Sequence, residues 1–194
     1  MPIMPVYNCF NPVLRQKTKK IENIDDKLIV IIKDMFETMY NADGIGLAAN
    51  QVGLDISLFV MDSAAKSDDD SNYSPIVLIN PEIISSSEEK SFYQEGCLSI
   101  PKVYEDVERP KEIEVKYYDQ NMKEVITTLN ALQARIFQHE LDHLYGVLFF
   151  DRITPLKKAL LRNKLKMVER NRIETRYDMI DAKGNLIKGV EEED

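Results

Sequence analysis

The sequence predicts an α+β domain, because short strand-like runs, mostly linked as hairpins, are combined with only a few helical segments. Three observations carry this expectation. An apolar helical face spans Asp25 to Asn41, a hairpin pattern spans Ile113 to Leu129, and a second helix runs from Asn130 to a glycine stop at Gly146. The 194 residues suit one compact domain with a tail, placed here at 1–175 and 176–194. No internal repeat is visible.

Each element has its own signal. In the first helix Leu28, Ile29, Ile32, Met35, Phe36 and Met39 recur at helical spacing and form a candidate buried face. Asp43-Gly44-Ile45-Gly46 ends it as a glycine-punctuated turn. Ile56 to Met61 reads as a strand, and the polar, acidic stretch 63–75 as an exposed loop. Ile76 to Asn80 reads as a short strand closed by Pro81, and Ser85 to Lys90 as a turn. Ile113 to Tyr118 and Glu124 to Leu129 form a hairpin joined through Asp119-Gln120-Asn121. Asn130 is a suitable N-cap with Gln133 as its capping-box partner, and Gly146 suits the C′ position. Pro155 to about Ile173 reads as a third, basic helix. The tail holds a small hairpin about Asp181 to Gly184, and its acidic end reads as loose.

Composition excludes several classes. The net charge of -8 disfavours a general binder of DNA or RNA backbones. Two cysteines, Cys9 and Cys97, do not make a secreted disulfide scaffold. The N-terminal MPIMPVYNCFNPVLR lacks the pattern of a signal peptide, and no run of apolar residues is long enough to span a membrane. The expected address is a reducing cytoplasm.

The only two histidines are His139 and His143, four residues apart. On a helix that spacing puts both imidazoles on one face, where they can grip one metal ion. Glu140 beside them can serve a metal-activated water, the generic arrangement of metal hydrolases. Two helical histidines can equally be surface residues. The lack of other histidines, and the apolar Leu132, Ile136, Leu141 and Leu144 around them, favour the metal reading. A catalytic metal needs a third protein ligand and an open position. The candidates are Cys97 and the downstream Glu169 or Glu174, though the two glutamates lie in a basic, strongly polar segment. Cys97 could also be a small buried core residue, as Cys9 is expected to be.

Three separated segments resemble the motifs of the peptide deformylase family: Gly44-Ile45-Gly46-Leu47-Ala48-Ala49-Asn50-Gln51, Glu95-Gly96-Cys97-Leu98-Ser99 and Gln138-His139-Glu140-Leu141-Asp142-His143. The likeness runs from about Asn11 to Lys157. It implies an α+β fold with antiparallel sheets packed around the helix that carries the histidines. It also implies one catalytic domain that hydrolyses the N-formyl group from the N-terminal formylmethionine of nascent polypeptides, releasing formate. Cys97, His139 and His143 would hold one divalent metal, Fe(II) above zinc, nickel or cobalt. Glu140 would be the general base and acid. The Gln51 side chain and the Leu98 N–H would stabilise the oxyanion. Gly44, Ile45 and Gly46 would pair with the substrate backbone as an added strand. Glu95 is grouped with the substrate side of the site, and paired with Arg109 it would brace the loop behind Cys97.

Leu132, Arg135 and Ile136 lie about one turn before His139, and with Ile45 and Leu98 could hold the methionine side chain. Arg135 is expected to pack its stem on the wall with its head in solvent; the alternative has the head meeting peptide carbonyls. The family motif usually has proline at Asn50. Asparagine there would loosen the Gln51 loop or cap its turn. Lys157, Lys158, Arg162, Lys164, Lys166, Arg170 and Arg172 make helix 155–173 basic. A solvated face is the ordinary reading, and transient docking to the ribosome is the one the resemblance implies. Two rivals remain at this stage: a metallopeptidase with a carboxylate third ligand, and a non-enzymatic ribosome-associated protein.

Overall fold

The computed structural model describes residues 2–65 and 75–190. Most of the acidic loop read at 63–75, and the acidic end beyond residue 190, lie outside the described residues. In chain order the elements are β1 (Val6–Tyr7), α1 (Asp26–Asn41), β2 (Gly46–Ala48), β3 (Leu58–Met61), β4 (Ile76–Ser86), β5 (Lys90–Cys97), β6 (Ile100–Pro110), β7 (Glu112–Tyr118), β8 (Glu124–Asn130), α2 (Ala131–Leu144), α3 (Pro155–Glu169), β9 (Met179–Ile180) and β10 (Leu186–Ile187). The architecture is α+β, with α2 between the sheets.

The larger sheet has the antiparallel order β2-β3-β4-β7-β8. Alternate residues of a strand face opposite sides. Leu58 and Val60 therefore pack with Leu28, Ile32, Met35 and Met39 of α1. Phe59 and Met61 pack with Ala134, Ile136 and Phe137 of α2. Both faces are covered, which is why β3 reads as an unbroken apolar run. Phe59 and Phe137 meet edge to face at 5.3 Å between centroids. The second sheet is the long hairpin β5-β6, and the third pairs β10 with β9 and β9, in parallel, with β1. A third core joins Ile100, Val103 and Val107 of β6 to Cys9, Phe149, Phe150 and the Leu161, Leu165 and Val168 face of α3.

Several local expectations need correction. Ile29 is exposed, so the α1 face is Leu28, Ile32, Met35 and Met39, with Phe36 packed partly buried against it. β3 begins at Leu58; Ile56 makes only an isolated bridge to Lys19. β4 does not stop at Pro81 but runs on to Ser86. A register shift between Ile79 and Glu82 accommodates the missing N–H, with Asn80 at φ 50° exchanging hydrogen bonds with the Ile21 backbone. Asn130 makes no side-chain cap, because its backbone belongs to the β7–β8 ladder opposite Glu112. The chain enters α2 directly through Ala131 at φ 45°, so no capping box forms. α3 ends at Glu169, short of Ile173, where Asn171 turns the chain at φ 53°. Gly146 ends α2 at φ 74°, as its position implies. Strands β5 and β6 were not legible in the sequence: both mix many polar and charged residues with the apolar ones, and half of β5 is exposed.

Candidate metal centre and cleft

α2 carries His139 and His143 on one face, and β5 delivers Cys97 to them. One possible ligand atom from each of the three residues lies within 4.8 Å of the others. Cys97 Sγ is 3.2 Å from His143 Nε2. Among the described residues this is the only such group of His, Cys, Asp and Glu side chains, and the alternative ligands Glu169 and Glu174 are not in it. A thiolate with two imidazoles is a donor set for a borderline or soft divalent metal.

A buried ion network surrounds the centre. His139 Nδ1 donates to Glu95 Oε2 at 2.9 Å, which leaves Nε2 as its ligand atom. Glu95 also accepts from Arg109 Nε at 2.7 Å, Arg109 Nη2 at 2.9 Å and Arg135 Nη1 at 3.0 Å. Arg109 reaches on to Asp142 at 2.7 Å, and Asp142 is bound from its other side by Arg152. Burial opposes ionisation of Glu95, yet Arg109 and His139 overcome it and hold the carboxyl well below the ordinary range. Burial also lowers His139, but its bonds to Cys97 and Glu95 reverse this and hold it well above the usual imidazole value. Proton and cation compete for that ring. Burial and the nearby His139 charge keep His143 low, in the neutral form a ligand needs.

Glu140 packs against β2. A Cβ on Gly46 would lie 2.5 Å from Glu140 Oε1, so only glycine allows this approach. Burial pushes the Glu140 carboxyl up to about 7, against the pull of His139. Its Oε2 is buried and finds no hydrogen-bond partner among the described residues. A buried carboxylate oxygen of this kind fits a site that brings its own polar partner, and the donor set beside it fits a cation with water.

Gln51 is oriented by its neighbours. Its Oε1 accepts the Ala48 N–H at 2.8 Å, which turns Nε2 to Ser99 Oγ at 3.2 Å and Cys97 Sγ at 3.5 Å. The Asn50 side chain does not cap this turn. It is buried, and its Nδ2 donates to the carbonyl of His143. The turn bearing Gln51 is thus tied to the helix bearing a candidate ligand.

A cleft of about 430 Å³ opens over the centre, lined by Gly44, Ile45, Gly46, Leu98, Leu132 and Ile136 among others. β2 is an edge strand of its sheet, so a further strand has room to add beside it. The expectation for Arg135 is overturned. Only 6% exposed, its head is not in solvent but donates to Glu95, the Val107 carbonyl and Ser91, while the residue still borders the cleft. Glu95 likewise braces the centre from behind, even though it borders the cleft. Sequence reasoning missed Asp142, Arg152 and Tyr177, whose phenol donates to the Leu98 carbonyl at 2.7 Å. Asp142 could have been suspected as a polar residue between the two histidines on an otherwise buried helix face. Arg152 and Tyr177 carry no local signal.

Known proteins resemble this chain in sequence and in fold. The polypeptide deformylase family model matches residues 3–159. A peptide deformylase from Pseudothermotoga lettingae is 48% identical over 167 residues, 86% of this chain and 92% of that protein. Among solved structures, a plant peptide deformylase superposes with a TM-score of 0.81 at 39% identity, covering 87% of this chain and 90% of the other. The enzyme from Legionella pneumophila gives 0.79 at 38% identity, covering 88% and 98%.

Proposed function

The chain belongs to the polypeptide deformylase family, a hydrolase family, and from that membership we propose that it removes the formyl group from the N-terminal formylmethionine of nascent polypeptides, using one divalent cation held by Cys97, His139 and His143. The observation that carries the reading is the meeting of these three donors with Glu140 under a cleft bordered by an edge strand. Held there, a cation would make water a stronger acid and polarise the formyl carbonyl. Fe(II) is the ion we favour, with zinc, nickel or cobalt able to use the same donors. An iron–thiolate site should lose activity in air.

The chain's own residues do the rest. Gly44, Ile45 and Gly46 align the peptide backbone along β2. Ile45, Leu98, Leu132 and Ile136 receive the methionine side chain, whose flexible thioether suits an irregular apolar slot. Glu140 accepts a proton from the attacking water as its oxygen adds to the formyl carbon. The developing negative oxygen is met by the Gln51 amide and the Leu98 N–H, each such donor being worth about 2.7–4 kcal/mol in the transition state. Glu140 then returns the proton to the leaving amine as the C–N bond breaks, giving formate and a free amino terminus. Glu95, Arg109 and Arg135 hold His139 in position from behind, with Glu95 and Arg135 also bordering the substrate cleft.

Formate release from formyl-Met-Ala tests the activity. Cys97→Ala separates it from a metallopeptidase: metal retained with peptide-bond cleavage would favour that rival. Among the described residues no helix is long and apolar enough to cross a membrane. In this reading the enzyme works in the cytoplasm, where new chains emerge and thiols stay reduced. Ribosome contact through α3 is the second part of the proposal. Its support is that Leu156, Leu160 and Met167 are exposed beside Arg162, Lys164 and Lys166. Replacing those three basic residues with glutamate should weaken co-sedimentation with ribosomes, and unchanged pelleting across salt concentrations would end the idea.

A further inference from the structure

Cys97 and Ile100 close the β5–β6 hairpin around Leu98 and Ser99, and the ladder slips in register between Gly96 and Cys97. At that irregularity the strands alone do not fix the turn. Neighbours fix it instead. The Ser99 carbonyl accepts the Cys9 N–H at 2.9 Å, the Ser99 hydroxyl accepts from Gln51, and the Leu98 carbonyl accepts the Tyr177 hydroxyl at 2.7 Å. Leu98 also packs its side chain into a cluster of Val6, Ala42, Tyr177 and Met179.

Tyr177 comes from the segment after α3, beyond residue 159 where the family match ends. That segment is woven into the N-terminus. Val6 N–H donates to the Asp178 carbonyl at 2.9 Å, Asn8 N–H to Ile180 at 2.8 Å, and Asn11 Nδ2 to Asp181 at 2.8 Å. Val190 N–H closes back on Thr175 at 2.8 Å. Thr175 and Tyr177 line the same cleft as Cys97, Gln51 and Glu140.

We propose that Tyr177 is a positioning residue for deformylation: its phenol clamps the Leu98 carbonyl, so the C-terminal segment forms a wall of the active site. The inference rests on the reading that the Leu98 N–H meets the developing oxyanion. The peptide bearing that N–H is anchored on one side by Cys97 and on the other by the carbonyl that Tyr177 holds. A donor acts in a transition state only while its direction is fixed, and small misplacements are costly.

The test is Tyr177→Phe in the full-length, metal-loaded protein, which keeps the ring and removes the hydroxyl. With formyl-Met-Ala-Ser, kcat should fall about 10–100-fold, while KM and bound metal stay close to wild type. Hydrogen exchange of the peptide covering residues 97–100 should quicken while that of α2 does not. A purely structural tyrosine would move melting temperature and α2 exchange together and leave kcat per folded molecule unchanged, which would overturn the inference. Unchanged exchange at 97–100 would also overturn it. Failure of the underlying reading shows elsewhere, as wild-type protein that releases no formate.

Discussion

Helices α2 and α3 both carry many charged or ionisable side chains, and they place them in opposite ways. On α2, Arg135, His139, Glu140, Asp142 and His143 are buried. On α3, Lys158, Arg162, Lys164 and Lys166 are exposed, and Lys158 meets the partly exposed Asp151 and the face of the Phe150 ring. Burying a charge costs several kcal/mol unless partners compensate, and a compensated pair rarely outperforms an apolar one for stability. A surface pair contributes about 0–1 kcal/mol and is screened by salt. The charges on α2 therefore point to work that apolar side chains could not do, whereas those on α3 need no such explanation.

The sharpest way to test this contrast is Glu140→Gln. Formate release should fall about 10²–10⁴-fold with metal still bound; a formate assay paired with metal analysis reads both. Next in size is Arg109→Ala, which strands Glu95 and Asp142 without their shared partner. Urea unfolding should show a loss of about 3–5 kcal/mol. Asn50→Ala removes a buried donor from the His143 carbonyl and should cost roughly 1–3 kcal/mol by the same measurement, with weaker metal retention. Asp181 stands between the extremes. Its hydrogen bonds from Asn185, with those of Lys183 and Asn171, hold its carboxyl at about 2. A depressed carboxylate stabilises the fold above its unfolded value of about 3.9. That contribution should persist above about pH 4 and fade as pH drops toward 2, an acid dependence that Asp181→Asn should lessen. Lys158→Ala should change stability by less than about 0.5 kcal/mol; a cost matching that of Arg109→Ala would erase the distinction between the helices.

The same contrast explains what the sequence could reveal. α2 was legible because helical periodicity and the His139–His143 spacing are local signals. Cys97 was located by its motif, though the bare chemistry left Glu169 and Glu174 open. The β5–β6 hairpin escaped notice because half of β5 is exposed and its polar residues lack a clean alternation. Arg135 was misread because its partners, Glu95, Val107 and Ser91, come from a sheet that periodicity did not disclose. Asn50 and Tyr177 act on residues 93 and 79 positions away along the chain. Only the folded structure brings such pairs together.

X-ray absorption spectroscopy of the metal-loaded protein, compared with Cys97→Ala, tests the account most directly. We expect one sulfur and two imidazole nitrogens around the ion, at about 2.3 Å and about 2.0–2.1 Å if it is zinc, with the sulfur shell lost in the variant. A shell of only nitrogen and oxygen in the wild type, unaltered by Cys97→Ala, would contradict the proposed centre.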